Sequence, residues 1–132
     1  MKKEDMKKKM MQLRWKVMRK RGTEMPFTSE HLHEKRKGVF TCAGCGAEVF
    51  KSDDKFDSGT GWPSFTKGID KNLMMEEDNS WFMKRIEVHC KKCQGHLGHV
   101  FNDGPGPTGK RFCINGIALN FDAAKSSARQ KK

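Results

Sequence analysis

A chain of 132 residues, 35% hydrophobic and 33% charged, has the size and polarity of one soluble domain, and no run approaches the roughly 18 apolar residues of a membrane-spanning helix. Its net charge of +11 sits at the ends: residues 1–22 carry ten Lys and Arg against Glu4 and Asp5, residues 122–132 carry four against Asp122, and the body between is neutral. A nucleic-acid module places its positive field on the folded surface that docks, so this distribution speaks against one and reads as solvated basic ends. Basic residues at the N-terminus are followed by no apolar run of the secretory kind, and the expected location is cytoplasmic.

The first predicted element is a helix over residues 6–21, because Met6, Met10, Leu13 and Val17 recur at helical spacing. Gly22 ends it, with Arg19, Lys20 and Arg21 favouring the negative end of its dipole. A second short helical turn is expected over 29–34, capped by Thr28 or Ser29. Beyond Gly38 the period shortens. Residues 39–42, 47–51, 73–76, 81–89, 99–102, 111–115 and 117–121 are short, aromatic or β-branched, and punctuated by Gly, Pro and Asn-Ser, as strands are. The expected organisation is a basic helix over 1–22, a mainly β domain over 23–122, and a basic, disordered tail over 123–132.

Cys42 and Cys45 form one Cys-x-x-Cys pair and Cys90 and Cys93 another. Two residues between thiols let both sulfurs of a tight turn face one ion, and two such turns supply a closed tetrahedral zinc site. With 44 residues between the pairs, against roughly 15 to 20 in a compact ribbon, the metal would join distant loops of a larger domain. Four protein thiolates leave no position for water, so the role is structural. Disulfides are the alternative, disfavoured where thiols are kept reduced; sequence does not separate zinc from iron.

One cysteine remains. In the segment Arg111 Phe112 Cys113 Ile114 Asn115 a strand period puts Arg111, Cys113 and Asn115 on one face and the apolar residues on the other. A thiol between a cation and an amide is placed to form thiolate and orient a polar substrate; a buried cysteine acting as a small hydrophobe is the other reading. His96 and His99 lie three apart around Gly98, in what reads as a turn entering a strand, just after Cys93. Imidazole is the usual proton partner of a nucleophilic thiol. The loop Ser58 Gly59 Thr60 Gly61 Trp62 Pro63 Ser64 Phe65 is able to hold an indole open to a pocket, although most tryptophans are core.

Together, the Gly-Trp-Pro-Ser-Phe, Gly-His-Leu-Gly-His and Arg-Phe-Cys-Ile-Asn segments, with Arg21 Gly22 Thr23 Glu24, Pro26 Phe27 Thr28 and the paired cysteines, resemble methionine-R-sulfoxide reductase, the B type of methionine sulfoxide reductase. The resemblance covers residues 11–123. It implies two antiparallel sheets with short N-terminal helices, a structural zinc on Cys42, Cys45, Cys90 and Cys93, and reduction of the R epimer of methionine sulfoxide, protein-bound or free. It further implies Cys113 as nucleophile, His99 with His96 as the imidazoles that move the proton, Asn115 and Arg111 as polar lining, and Trp62 as the wall receiving the substrate methyl. Many family members carry a resolving cysteine where this chain has Thr60. A hydroxyl does not resolve a sulfenic acid, so an external thiol such as thioredoxin is the expected reductant. The rival readings are a zinc-stabilised nucleic-acid binder and a reader of oxidised methionine without turnover; neither gives Cys113 a redox task.

Overall fold

A computed structural model describes residues 3–20, 22–79 and 84–123, with side chains from residue 8 onward. Residues 81–83 of the predicted strand 81–89, and all of the predicted tail but Ala123, lie outside the described residues. The helical stripe becomes α1, Lys3–Lys20, and the alternating segments become β1 Gly38–Cys42, β2 Glu48–Lys51, β3 Lys55–Phe56, β4 Ser64–Phe65, β5 Leu73–Asp78, β6 Arg85–Cys90, β7 His96–Phe101, β8 Arg111–Ile114 and β9 Leu119–Ala123. They form two antiparallel sheets, ordered β2-β1-β9 and β3-β4-β8-β7-β6-β5. Phenylalanine joins the sheets: Phe65 stacks on Phe50 at 4.4 Å and meets Phe40 edge-on at 5.2 Å, while Phe112 reaches Phe50 at 5.7 Å. Such pairs add about 0.5–1.5 kcal/mol each beyond the burial of their rings.

The two cysteine pairs close two hairpins of the same construction. Gly46 N donates to Cys42 O and Gln94 N to Cys90 O, both at 2.8 Å, and the residue after each second cysteine is left-handed, Gly46 at φ 83° and Gln94 at φ 62°. The second knuckle thus spends a non-glycine residue in a conformation that disfavours a Cβ by about 1–2 kcal/mol. Beside each knuckle packs the end of α1. Val17 and Met18 are buried, the Met18 methyl lies over Gly44 and Gly95, and Arg19 Nη1 donates to Cys93 O at 3.1 Å. Met10 and Leu13, from the same predicted stripe, stay 45% and 38% exposed, so the helix docks by its last turns. No helix among the described residues is long and apolar enough to cross a membrane.

Three expectations change. The segment at 29–34 forms hydrogen-bonded turns rather than helix: Ser29 does cap, accepting from His31 N at 3.0 Å, but too few residues follow to propagate. The predicted strand 117–121 begins two residues later because Gly116–Ala118 form a 3-10 turn. The predicted strand 99–102 begins instead at His96. The two-residue strands β3 and β4 are too short to show a period.

Candidate active site

The register of the larger sheet sets Ser64 opposite Cys113, Cys113 opposite His99, and His99 opposite Glu87. Directly opposed residues share a face, so one row across β4, β8, β7 and β6 collects these side chains, while Phe112 and Ile114 turn into the core. Two residues three apart on a strand ordinarily face opposite ways. Here the pairing slips by one residue, from Val88 with Gly98 to His89 with His96. The bulge at Leu97 returns His96 to the face of His99, and the two rings lie 5.5 Å apart. Gly98 lets β7 lie close against β8: a Cβ there would fall 2.1 Å from Cys113 O.

A cavity of about 130 Å³ opens over this row, lined by Thr23, Trp62, Arg85, Gly98, His99, Phe101, Cys113 and Asn115. Trp62, His99, Cys113 and Asn115 therefore meet at one cavity. His96 and Arg111 do not line the cavity. His96 is buried behind it, its Nδ1 donating to Glu87 Oε2 at 2.6 Å. Arg111 turns to Asp103, giving Nε to Oδ1 at 2.8 Å and Nη2 to Oδ2 at 3.1 Å, with its guanidinium 4.5 Å from the Phe101 ring centre.

Fixed partners orient the lining. Asn115 Nδ2 donates to Leu97 O at 3.0 Å and Oδ1 accepts from Glu24 N at 2.9 Å, which leaves one amide N–H for a ligand. Glu24 O accepts from Trp62 Nε1 at 3.0 Å, so one buried residue holds both the amide and the indole. The Glu24 carboxylate in turn accepts from Gly116 N and Ile117 N at 2.8 and 2.9 Å, although burial pushes its pKa up. His99 Nε2 lies 3.0 Å from Asp78 Oδ2, which also accepts from Arg85 Nη2 at 3.3 Å. An ionised carboxylate only accepts, so the Nε2 of His99 carries a proton toward Asp78.

Burial pushes the Cys113 thiol up; the Arg111 charge and hydrogen bonds from Thr60 and Arg111 pull it back only in part. The expected cation is present but shared, its fork occupied by Asp103. Alkylation of Cys113 by iodoacetamide in the metal-loaded protein is therefore expected to rise with pH around a midpoint above the roughly 8.5 of a free thiol. A midpoint below that value would mean that the cation outweighs burial.

The other four thiols gather apart from this cavity. Cys42, Cys45, Cys90 and Cys93 sulfurs all lie within 4.8 Å of one another. Cys42 and Cys93 sulfurs are 3.5 Å apart, as are those of Cys45 and Cys90. That is far from a disulfide's roughly 2.05 Å and close to the roughly 3.8 Å edge of a tetrahedron with 2.3 Å zinc–sulfur bonds. The donor set therefore fits a structural zinc. Burial also pushes the Cys42 thiol up, a penalty on its thiolate form that a bound dication offsets.

Sequence reading missed Thr23, Arg85, Phe101 and the carboxylates Asp78 and Asp103. Asp103 was within reach: Phe101 and Arg111 are paired across the Gly- and Pro-rich hairpin that Asp103 opens, and hairpin ends meet. Asp78 and Arg85 are paired at the ends of β5 and β6, with no periodic signal in the sequence to mark them.

A half-buried thiol facing an imidazole–carboxylate pair thus lies on a β scaffold that gathers four further thiols at metal-binding distance. A family model described as the SelR domain matches residues 10–123. The chain is 50% identical over 130 residues to the "Peptide methionine sulfoxide reductase MsrB" of Methanosarcina mazei, covering 98% of this chain and 93% of that one. It is also 50% identical over 120 residues to the like-named protein of Bradyrhizobium diazoefficiens, covering 90% and 86%. The "Methionine-R-sulfoxide reductase B3, mitochondrial" of Mus musculus is 44% identical over 125 residues, covering 94% of this chain and 49% of its own length. Among solved structures, the Mis18 "Yippee-like" domain superposes with a TM-score of 0.53 at 18% identity, covering 66% of this chain and 96% of that domain, a likeness of fold alone. The chain belongs to the SelR family of methionine sulfoxide reductases and is an oxidoreductase.

Proposed function

We propose that the protein reduces the R epimer of methionine sulfoxide, protein-bound or free, with Cys113 as the electron donor. The observation that carries this reading is the single cavity shared by Trp62, His99, Cys113 and Asn115. The indole wall receives the sulfoxide's S-methyl, a contact of about 0.3–1.5 kcal/mol, and the spare Asn115 N–H and His99 are the polar groups for the oxygen. Cys113 gives its proton to Nδ1 of His99 as its sulfur attacks the sulfoxide sulfur, Nδ1 passes that proton to the sulfoxide oxygen, and the resulting hydroxyl moves to the Cys113 sulfur as the transient sulfur–sulfur bond and the methionine S–O bond break. Asp78 and the buried His96–Glu87 pair fix the ring. In sum, one thiol and one sulfoxide become one sulfenic acid and one thioether: the sulfoxide sulfur gains two electrons, Cys113 loses two, and the oxygen ends as hydroxyl on Cys113.

Thr60 stands where a resolving thiol would serve, its hydroxyl 2.8 Å from Ser58 Oγ. The other four cysteines would hold a structural zinc, which would cross-link the two hairpins. An external thiol, a thioredoxin-like protein or a small dithiol, therefore attacks the sulfenic acid, releasing water and forming a mixed disulfide that a second thiol reduces. This cycle suits a compartment that keeps thiols reduced, in line with a cytoplasmic location.

The test supplies each diastereomer of methionine sulfoxide with dithiothreitol and measures methionine. Multiple turnovers with the R epimer and none above background with the S epimer are expected. Equal rates, or one methionine per chain whatever the thiol, would overturn the reading, the second in favour of a binder of oxidised methionine.

A further inference from the structure

The rim of the cavity beside Trp62 is built from the first loop of the chain. Thr23 lines the cavity and Glu24 O holds the Trp62 indole. Phe27 N donates to Gly61 O at 2.7 Å, and Pro26 and Phe27 cover Gly61 so closely that a Cβ there would meet Pro26 Cβ at 2.7 Å and Phe27 Cδ2 at 2.9 Å. Thr28 Oγ1 closes the turn by donating to Met25 O at 2.6 Å. A segment tied down this firmly nonetheless leaves Met25 72% and Phe27 68% exposed, more than any other large apolar side chain among the described residues. Phe27 is also held at φ 65°, a left-handed backbone that an aromatic residue seldom adopts. Strain of this kind persists where surrounding structure imposes it, and it gathers at ligand clamps.

We propose that Met25 and Phe27 form a docking ridge for the polypeptide on either side of a methionine sulfoxide residue. The occupant is an extended, apolar segment of an oxidised protein. The inference rests on the reading of Cys113 as a sulfoxide reductant. The ridge is continuous with the cavity through Gly61 and Trp62, so a residue whose side chain enters the cavity must lay its neighbours along this rim. Methionine is mostly a core residue, and its sulfoxide, being polar, disrupts the packing around it. The segment such damage exposes is therefore apolar on both sides of the oxidised residue, and exposed Met and Phe side chains suit it: the thioether is adaptable and the ring buries a large area. The ridge favours protein-bound sulfoxide over the free amino acid.

The test compares KM and kcat, with dithiothreitol as reductant, for three substrates: free methionine R-sulfoxide, a heptapeptide with that residue flanked by Leu and Val, and the same peptide flanked by Ser and Gly. The enzymes are the full chain, Met25→Ala, Phe27→Ala, Phe27→Leu and Phe27→Gly. Phe27→Ala is expected to raise KM for the Leu/Val peptide about tenfold, with kcat, and KM for the free sulfoxide, unchanged; Phe27→Leu should retain most of the native KM. Phe27→Gly relieves the left-handed backbone, so it should melt no lower than the native chain while losing the peptide preference, which separates docking from folding. Equal changes for free and peptide substrates, or none for the peptide, would overturn the ridge. So would a shift confined to the oligomeric state in sedimentation, because it points to another occupant. An unaltered chain inert toward all three substrates would instead remove the reductase reading beneath it.

Discussion

Cys113→Ser is expected to lower sulfoxide reduction by on the order of 10³-fold or more while leaving the fold and the bound metal in place. Oxygen for sulfur keeps the side chain's shape, and the strand that carries it is held independently: Phe112 and Ile114 are buried on its other face, and its backbone pairs with β4 and β7. What changes is chemistry, since a hydroxyl at that position has no accessible anion and no two-electron step to a sulfenic acid. Initial rates with R-sulfoxide and dithiothreitol, beside circular dichroism and zinc content, measure the separation. Retained activity in a folded variant would move the electron donor elsewhere; loss of fold would make Cys113 a packing residue.

Cys45→Ser is expected to act in the opposite place, removing the metal and with it cooperative folding. Structural zinc binds peptides with apparent free energies of about 10–16 kcal/mol, as large as the whole stability of a domain, about 5–15 kcal/mol. Cys45 is only partly buried, but its sulfur is one of four from the β1–β2 and β6–β7 hairpins that gather at metal-binding distance, and the end of α1 is seated on both knuckles through Met18. Thermal melting with metal analysis should show no zinc and no cooperative transition where Cys113→Ser shows both. A native melting curve for Cys45→Ser would mean that the phenylalanine contacts between the sheets suffice without the clamp.

The contrast between these two residues was legible in the sequence because it rests on counting and spacing. Two matched Cys-x-x-Cys turns consume four thiols, and the fifth sits in an alternating strand whose faces can be assigned by period alone. Trp62, His99 and Asn115, which line the cavity, stand in short motifs visible in the sequence. The bulge at Leu97 is not visible there, since an extra residue in one strand appears only when its partner is known, and without it His96 reads as part of a turn. Asp78 reaches His99 from β5, two strands across the sheet and 21 residues back along the chain, and Glu24 reaches Trp62 and Asn115 from the loop after α1. Such contacts depend on register between distant segments. The same reason left the division of labour between the histidines open: His99 faces the cavity, whereas His96 is committed to Glu87 beneath it.

Thr60 sharpens the redox consequence. Its hydroxyl, linked through Ser58 to Ser64, supports the Cys113 sulfur by hydrogen bonding but offers no electrons, so the proposed cycle is expected to halt with Cys113 oxidised until an external thiol is added. One equivalent of methionine R-sulfoxide added to zinc-loaded, reductant-free protein, followed by a cyclic 1,3-dione trap and peptide mass spectrometry, tests this directly. One methionine released per chain, with the trap on Cys113 alone, is the predicted result. A disulfide between Cys113 and a knuckle cysteine, or methionine formed while Cys113 stays a thiol, would contradict it.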